Sequence, residues 1–181
     1  MKIFKNILNS VAYYYYPKFL HESDDSYQKT REYGNYILLH NNWKNFKGEL
    51  KPLIDEIKNG SIGHLSLIFN GTPNNTPCYE IELLLQSNAE SKKVIVLYLS
   101  MFVPFYHLVL LEREDSTNQI VSSTDIPKDL EKKVAEAVKK TLCFQKFPED
   151  ILHCSIPDLE VSSEFNYLTA FFTDWYRIAH I

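Results

Sequence analysis

Residues 94–111 read VIVLYLSMFVPFYHLVLL, an eighteen-residue run that is apolar at all but four positions. Its length alone would permit a marginal transmembrane helix. Pro104 interrupts the run near its middle, however, and β-branched, aromatic and leucine residues dominate on both sides of the proline. These features favour two successive buried strands, at residues 94–99 and 105–111, over a membrane helix.

The sequence around this run has the same strand-forming composition. Residues 64–69 and 79–86 are also rich in β-branched, aromatic and leucine residues, and turn-forming segments such as residues 71–77 (GTPNNTP) separate the candidate strands. Short connections without an intervening helix are typical of antiparallel pairs. The sequence therefore predicts a largely antiparallel sheet of four to six strands, with a further strand at residues 119–122.

Helical periodicity flanks the predicted sheet. Apolar residues spaced four and three apart run from Leu39 to Ile57, which predicts a helix with one buried face. Asn59 and Gly60 would end this helix, and Pro52 would either kink it or mark the point where a helix restarts.

Two further helices are predicted, at residues 24–40 with Ser23 as the N-cap and at residues 127–142. The aromatic segment at residues 167–176 is compatible with either helix or strand. Residues 1–181 are thus expected to form a single α+β domain, in which helices from residues 24–59 and 127–142 cover one face of the sheet.

The charges are distributed unevenly along the chain. Residues 1–144 carry 17 basic and 17 acidic residues, whereas residues 145–181 carry two basic and six acidic ones, so the net charge of −4 lies in the C-terminal segment. An acidic surface repels phosphate and attracts cationic proteins. The pattern disfavours nucleic acid as a partner and is compatible with a basic protein partner or with an ordinary solvated surface.

The three cysteines, Cys78, Cys143 and Cys154, have neither CxxC spacing nor an even number. A disulfide framework and a zinc knuckle are therefore both disfavoured, and a reducing cytosolic environment is indicated. Residues 7–12 are too short and too polar for the core of a signal peptide. The sequence predicts a cytoplasmic protein without a membrane anchor.

No motif for nucleotide, zinc, calcium or serine-hydrolase chemistry occurs in the chain. His153 and Cys154 are adjacent and would point in opposite directions on a strand, so they do not predict a metal or nucleophile site. Glu80 and Glu82 alternate with apolar residues, which predicts a solvent-exposed sheet face. If the protein were an enzyme, its candidate ionisable groups would be those on neighbouring predicted strands: Glu80, Glu82, His64 and His107. We expect no catalytic activity and no cofactor or metal.

Four consecutive tyrosines at residues 13–16 could stack on nucleic-acid bases or on a sugar. A nucleic-acid site also needs nearby cations, and only Lys5 and Lys18 are close in sequence. Packing or a protein interface is therefore the better interpretation of this tyrosine run.

Three stretches taken together resemble bacterial immunity proteins, the small cytosolic inhibitors that neutralise a cognate toxin in polymorphic-toxin and type VI secretion systems. They are YLS with PFY at residues 98–106, IPDLE at residues 156–160 and AFFTDW at residues 170–175. The similarity spans about residues 36–176. It implies a protein without enzymatic activity that forms a tight one-to-one complex with a toxin.

The C-terminal segment is the predicted partner-binding surface, because its carboxylates alternate with aromatic residues. Acidic groups accelerate the encounter with a basic toxin surface, and aromatic groups anchor the complex. The predicted residues are Asp158, Glu160, Glu164, Phe172, Asp174, Trp175 and Tyr176. Phe172 and Trp175 could instead belong to the core.

A small-ligand-binding or sensor domain is the alternative function. It would require an aromatic-lined pocket between the sheet and the helices.

Overall fold

The computed structural model describes residues 2–42, 48–59, 66–71, 76–87, 91–114, 120–123, 126–162 and 165–172.

The centre of the fold is an antiparallel sheet whose first five strands lie in chain order. They are β1 (Ser66–Gly71), β2 (Cys78–Ser87), β3 (Ser91–Ser100), β4 (Phe105–Glu114) and β5 (Ile120–Ser123). A short strand, β6 (Gln145–Lys146), pairs in parallel with the start of β4. The predicted α+β class and the largely antiparallel sheet are confirmed.

Residues 94–111 supply the two central strands, β3 and β4, as predicted. The Ser100 hydroxyl accepts hydrogen bonds from the backbone N–H groups of Phe102 and Val103, at 3.2 and 3.3 Å, which stabilises the connection between the strands. Pro104 lies in this connection, where its missing N–H group costs no ladder bond. Among the described helices, none has the length and apolar character needed to cross a membrane.

Two helices cover the first face of the sheet: α3 (Lys51–Lys58) and α4 (Lys128–Leu142). Side chains alternate between the two faces of a strand, and this face carries apolar residues on β2, β3 and β4. The buried side chains that form this layer include Ile81, Leu97, Leu108, Leu53, Ile57, Val134 and Val138. Pro52 occupies the first turn of α3, so the proline marks a helix restart.

The second face is covered by both ends of the chain. The helices α1 (Lys2–Tyr15) and α2 (Arg31–Asn41) pack there together with residues 147–162 and 165–172, which contain α5 (Glu149–Leu152) and α6 (Tyr167–Phe171). The expectation that the helices of residues 24–59 and 127–142 share one face is therefore wrong for α2, whose Tyr33 and Tyr36 pack against the second face.

The burial of Glu80 and Glu82 follows from this second layer. Their side chains are on the face covered by the chain ends, and the residues are 1% and 7% exposed. The predicted solvent-exposed face is thus a covered face, because residues distant in sequence supply a layer that local alternation cannot reveal.

The start of α2 differs from the prediction. A 3-10 helix (Tyr27–Lys29) precedes α2, and the hydroxyl of Thr30 accepts a hydrogen bond from the backbone N–H of Tyr33 at 3.2 Å. Ser23, the predicted N-cap, instead lies in a turn where the Asp24 carboxylate accepts a bond from the backbone N–H of His21. The side chain of Asp24 favours this turn over a helix start at the same position.

The segment at residues 167–176 is helical over its described part. Asn166 and Thr169 form a capping box at the start of α6, each side chain accepting a bond from the other residue's backbone N–H. The helix ends at Phe171, and residues 173–176 lie outside the described residues.

Candidate functional site

The structure describes three of the seven predicted partner-binding residues. Asp158 and Glu160 are exposed in the loop between α5 and α6. Glu164, Asp174, Trp175 and Tyr176 lie outside the described residues.

Phe172 is part of the core and has no exposed surface. Its ring packs against those of Phe147 and His107, with centroid distances of 5.4 and 5.9 Å, and its carbonyl accepts a hydrogen bond from the Cys78 thiol. The predicted role of Phe172 as a partner anchor is therefore corrected to a core role, because its ring is already fully covered.

The loop that carries Asp158 and Glu160 is fastened to the N-terminal segment. The backbone N–H of Phe19 donates to the carbonyl of Asp158 at 2.9 Å, and that of Glu22 donates to the carbonyl of Val161 at 3.0 Å. The Tyr13 hydroxyl also donates to the Pro157 carbonyl at 2.9 Å. These three bonds form a ladder between residues 13–22 and residues 157–161.

Phe19 and Asp158 both have left-handed backbone conformations, with φ angles of 57° and 63°. Aspartate tolerates this region because its short polar side chain can bond locally, whereas phenylalanine rarely adopts it, at a cost of about 1 kcal/mol. The side chain of Phe19 gains little from burial, since the residue is 65% exposed. Strained residues of this kind cluster at binding sites, so Phe19 is a candidate contact residue.

Exposed carboxylates from both ends of the chain lie near Phe19, either a few residues along the chain or in the loop to which its backbone is bonded. Glu22, Asp24 and Asp25 are exposed on the N-terminal side, and Asp158 and Glu160 are exposed on the C-terminal side. We call these five residues the acidic surface. Lys18 lies 3.2 Å from the Asp158 carboxylate, and both side chains remain about two-fifths exposed, so solvent weakens the pair.

Two other carboxylates of the C-terminal segment, Glu149 and Asp150, are exposed at the start of α5. Lys146 lies 2.6 Å from the Glu149 carboxylate, and its hydrogen bond lowers the pKa of Glu149. Lys146 also pairs with Glu131 of α4 at 2.6 Å. Glu149 therefore takes part in a link between α4, β6 and α5, and we do not include it in the acidic surface.

Sequence reasoning did not identify Phe19, Glu22, Asp24 or Asp25 as site residues. The local signal was present, since residues 19–25 read FLHESDD. Because residues 1–144 carry equal numbers of acidic and basic residues, a count over that range does not reveal this acidic cluster. Its link to residues 157–161 cannot be seen in the sequence either, because it joins distant parts of the chain.

A row of buried polar residues crosses the second face of the sheet. Glu80 on β2 pairs with Tyr98 on β3, which pairs with His107 on β4, so all three side chains share that face. These residues are 1%, 7% and 3% exposed. Glu80 and His107, two of the groups considered for an enzyme, therefore share one face two strands apart, with Tyr98 between them. His64 lies outside the described residues.

The imidazole of His107 is held in its neutral form. Burial lowers its pKa to about 4, an effect that the nearby Glu149 opposes. The Tyr98 ring stacks on the imidazole with a centroid distance of 6.4 Å, and the Phe172 ring packs against it with a centroid distance of 5.9 Å. Because aromatic rings cover the imidazole, the row is a packed element of the core in this conformation, and acid–base catalysis would need access that these contacts block.

The cysteines are separate from one another: Cys78 is buried, Cys143 is exposed and Cys154 is half-buried. The Lys5 ammonium lies 3.6 Å from the Cys154 sulfur. Over the part of the chain that the structure describes, no group of three or more His, Cys, Asp or Glu residues could hold a metal ion.

An open cavity of about 540 Å³ adjoins the acidic surface. It is lined by His21, Glu22, Ser23, Tyr27, Gln28 and Tyr33. The cavity is lined by residues that precede α2 and by Tyr33 near its start. A small-ligand-binding domain was instead expected to have its pocket between the sheet and the helices.

No family model matches the chain, and neither a curated protein nor a solved structure is significantly similar to it.

Proposed function

We propose that this chain is a non-catalytic, cytoplasmic binding protein that acts as an immunity protein, neutralising a cognate bacterial toxin in a tight complex. The observation that carries the proposal is the exposed Phe19, which has a left-handed backbone conformation and is bonded through its N–H to Asp158 of the acidic surface. An exposed aromatic group beside a mainly acidic surface, in which Lys18 pairs with Asp158, suits a partner with an apolar socket and a basic rim.

The acidic surface and Phe19 would have different roles in the complex. Exposed carboxylates attract a basic partner over several ångströms and raise the association rate. An aromatic side chain that becomes desolvated on binding contributes mainly to the lifetime of the complex. The ladder between residues 13–22 and 157–161 would fix both groups before binding, which limits the entropy lost on association.

The test begins with affinity capture from the native cell, followed by mass spectrometry. We expect one basic protein that is toxic when expressed alone and harmless when this chain is co-expressed. The variant Phe19→Ala with Glu160→Lys should lose this protection while remaining folded.

The control for the charge reversal is Glu136→Lys alone, which makes the same change in net charge at an exposed position of α4 on the opposite side of the sheet. Its protection should equal that of the unmodified chain. Capture of no toxic protein, or full protection by the Phe19 variant, would overturn the proposal.

The open cavity beside α2 favours a second candidate function, the binding of a small ligand. Tyr27 and Tyr33 pack edge to face at 5.6 Å and provide aromatic surface, while His21, Ser23 and Gln28 provide hydrogen-bonding groups. This combination suits a neutral, hydroxyl-rich ring such as a sugar. A thermal-shift screen with mono- and disaccharides tests it: stabilisation that is lost in Tyr33→Ala supports a ligand site, and no shift with any sugar rejects it.

A further inference from the structure

The open cavity beside the start of α2, which we call the α2 cavity, has one charged carboxylate in its lining. Of its six lining residues, Glu22 is the only Asp or Glu, and none is Lys or Arg. Within the described part of the chain, no cationic side chain forms an ion pair with Glu22. The α2 cavity therefore offers a negative charge that a neutral sugar does not use.

Hydrogen bonds fix the backbone on the Glu22 side of the α2 cavity. The backbone N–H of Glu22 donates to the Val161 carbonyl at 3.0 Å, and that of His21 donates to the Asp24 carboxylate at 3.0 Å. The backbone N–H of Tyr27 donates to the Asp24 carbonyl at 2.9 Å. Because these bonds already order the turn, a ligand would pay little entropy for ordering the backbone.

The hydroxyl of Ser23 can only accept a hydrogen bond from a ligand. Nδ1 of His21 accepts a bond from the backbone N–H of Ser23 at 3.2 Å, so this nitrogen carries no proton. The Ser23 hydroxyl lies 2.8 Å from the same nitrogen and must therefore donate to it. Its oxygen then has only lone pairs to offer. Glu22 and Ser23, adjacent in the chain, thus supply two acceptors for a ligand that donates.

Tyr33 supplies aromatic surface in a fixed orientation. Its half-buried ring packs edge to face with Tyr27 at a centroid distance of 5.6 Å and lies nearly parallel to the Tyr36 ring at 6.4 Å. Burial, and after it the Glu22 carboxylate, raises the pKa of Tyr27. The negative potential of Glu22 therefore reaches the aromatic part of the α2 cavity.

A primary ammonium group is a compact cation with three donors and no acceptor, which complements two adjacent acceptors. A sugar ring adds an apolar C–H face for an aromatic side chain and hydroxyl groups for Gln28 and the ring N–H of His21. We propose that the α2 cavity binds an amino sugar, with its ammonium group between the Glu22 carboxylate and the Ser23 hydroxyl and its ring against Tyr33. This inference rests on the second candidate function, sugar binding, and specifies the charge of the ligand.

Glucosamine, glucose and N-acetylglucosamine share one ring and differ in charge, so they test the proposal directly. At about pH 6 a carboxyl group is ionised and an amine is protonated. Titration calorimetry on the purified full chain should give glucosamine a Kd at least about tenfold lower than that of glucose, because only glucosamine forms the ion pair. N-acetylglucosamine should bind no tighter than glucose, since acetylation removes the charge. The preference should shrink in about 500 mM salt.

Glu22→Gln keeps the size of the side chain and removes its charge. In this variant glucosamine should bind as weakly as glucose, while the affinity for glucose should stay the same. Tyr33→Leu should weaken the binding of both sugars, because both use the ring surface. The control is Glu136→Gln, which neutralises an exposed carboxylate on the opposite side of the sheet and should keep the full preference for glucosamine. Equal unfolding temperatures of the ligand-free Glu22→Gln variant and the unmodified chain would show that the variant is folded.

Equal affinities for glucose and glucosamine would overturn this inference and leave the sugar-binding candidate intact. A preference for glucosamine that persists in Glu22→Gln would also overturn it. If none of the sugars binds, both the inference and the sugar-binding candidate fail. Protection against a toxin is a separate measurement, so none of these results bears on the proposed immunity function.

Discussion

Phe19 keeps a large apolar side chain in solvent on a backbone conformation that L-amino acids avoid. Glycine adopts a positive φ without steric cost, so Phe19→Gly should leave the free energy of unfolding unchanged or raise it by up to about 1 kcal/mol. Phe19→Ala retains the steric cost and should be less stable than Phe19→Gly. Urea unfolding of the two variants measures this difference. A glycine variant that is the less stable of the two would show that the backbone is not strained.

His107 makes the stability of the fold sensitive to acid. Its pKa is about 4 in the folded chain, mainly because of burial, against about 6.5 when unfolded. As the pH falls below about 6.5 the unfolded chain takes up the proton first, so stability is lost down to about pH 4, by about 3 kcal/mol in all. Above pH 6.5 this contribution is fully present.

The groups around His107 set the size of this effect. Glu149 stabilises the charged imidazole, whereas Lys146 and His153 oppose it. His107→Phe removes the titration, so the loss of stability between pH 7 and pH 4.5 should be smaller in this variant than in the unmodified chain. Urea midpoints at the two pH values give the comparison, which cancels the carboxylates common to both proteins. Equal losses in the two proteins would contradict the assignment.

At the scale of elements, α6 and the residue that follows it are part of the core. Phe172 is fully covered and packs against rings from β4 and from residue 147. Phe172→Ala should therefore lower the free energy of unfolding by about 3 kcal/mol or more. Phe19→Ala is the matched control, because it deletes the same atoms from an exposed position and should change stability by about 1 kcal/mol or less. Thermal unfolding that affects both variants equally would place Phe172 outside the core.

The strands were predictable from sequence because their signals are local. In residues 94–111 the proline and the β-branched residues indicate two strands, and the structure has both. A short connection, stabilised by the Ser100 hydroxyl, joins them as an antiparallel pair. Pro52 likewise signalled a kink or a helix restart, and a helix begins there. The helical stripe expected from Leu39 to Ile57 is not continuous, because α2 ends at Asn41.

The second layer could not be predicted in the same way. Glu80 and Glu82 alternate with apolar residues as a solvent-facing strand would, yet both ends of the chain cover them. The site shows the same limit. Asp158 and Glu160 were identified from sequence, whereas Phe19 and Glu22 join them only through backbone hydrogen bonds to Asp158 and Val161, which lie near the other end of the chain. Contacts of that separation leave no local pattern.

At the scale of the whole molecule, the placement of charge should govern how fast a partner binds. Reversing Glu22 and Glu160 to lysine removes carboxylates from the acidic surface without deleting a described side-chain bond. The association rate with the captured partner should fall about tenfold at low salt, and its dependence on salt should weaken, because exposed charges steer the encounter over about one Debye length. The dissociation rate should change much less.

The control for that experiment is Asp55→Lys with Glu136→Lys, which changes the net charge by the same amount on the opposite side of the sheet. Stopped-flow mixing at about 50 mM and about 500 mM salt separates the long-range electrostatic contribution to the association rate from the effect of direct contacts. The higher salt concentration screens charges that are more than a few ångströms apart. A selective loss of rate in the Glu22 and Glu160 variant assigns steering to the acidic surface. If both double variants slow association equally, net charge alone is responsible, and the acidic surface has no special role in recognising the partner.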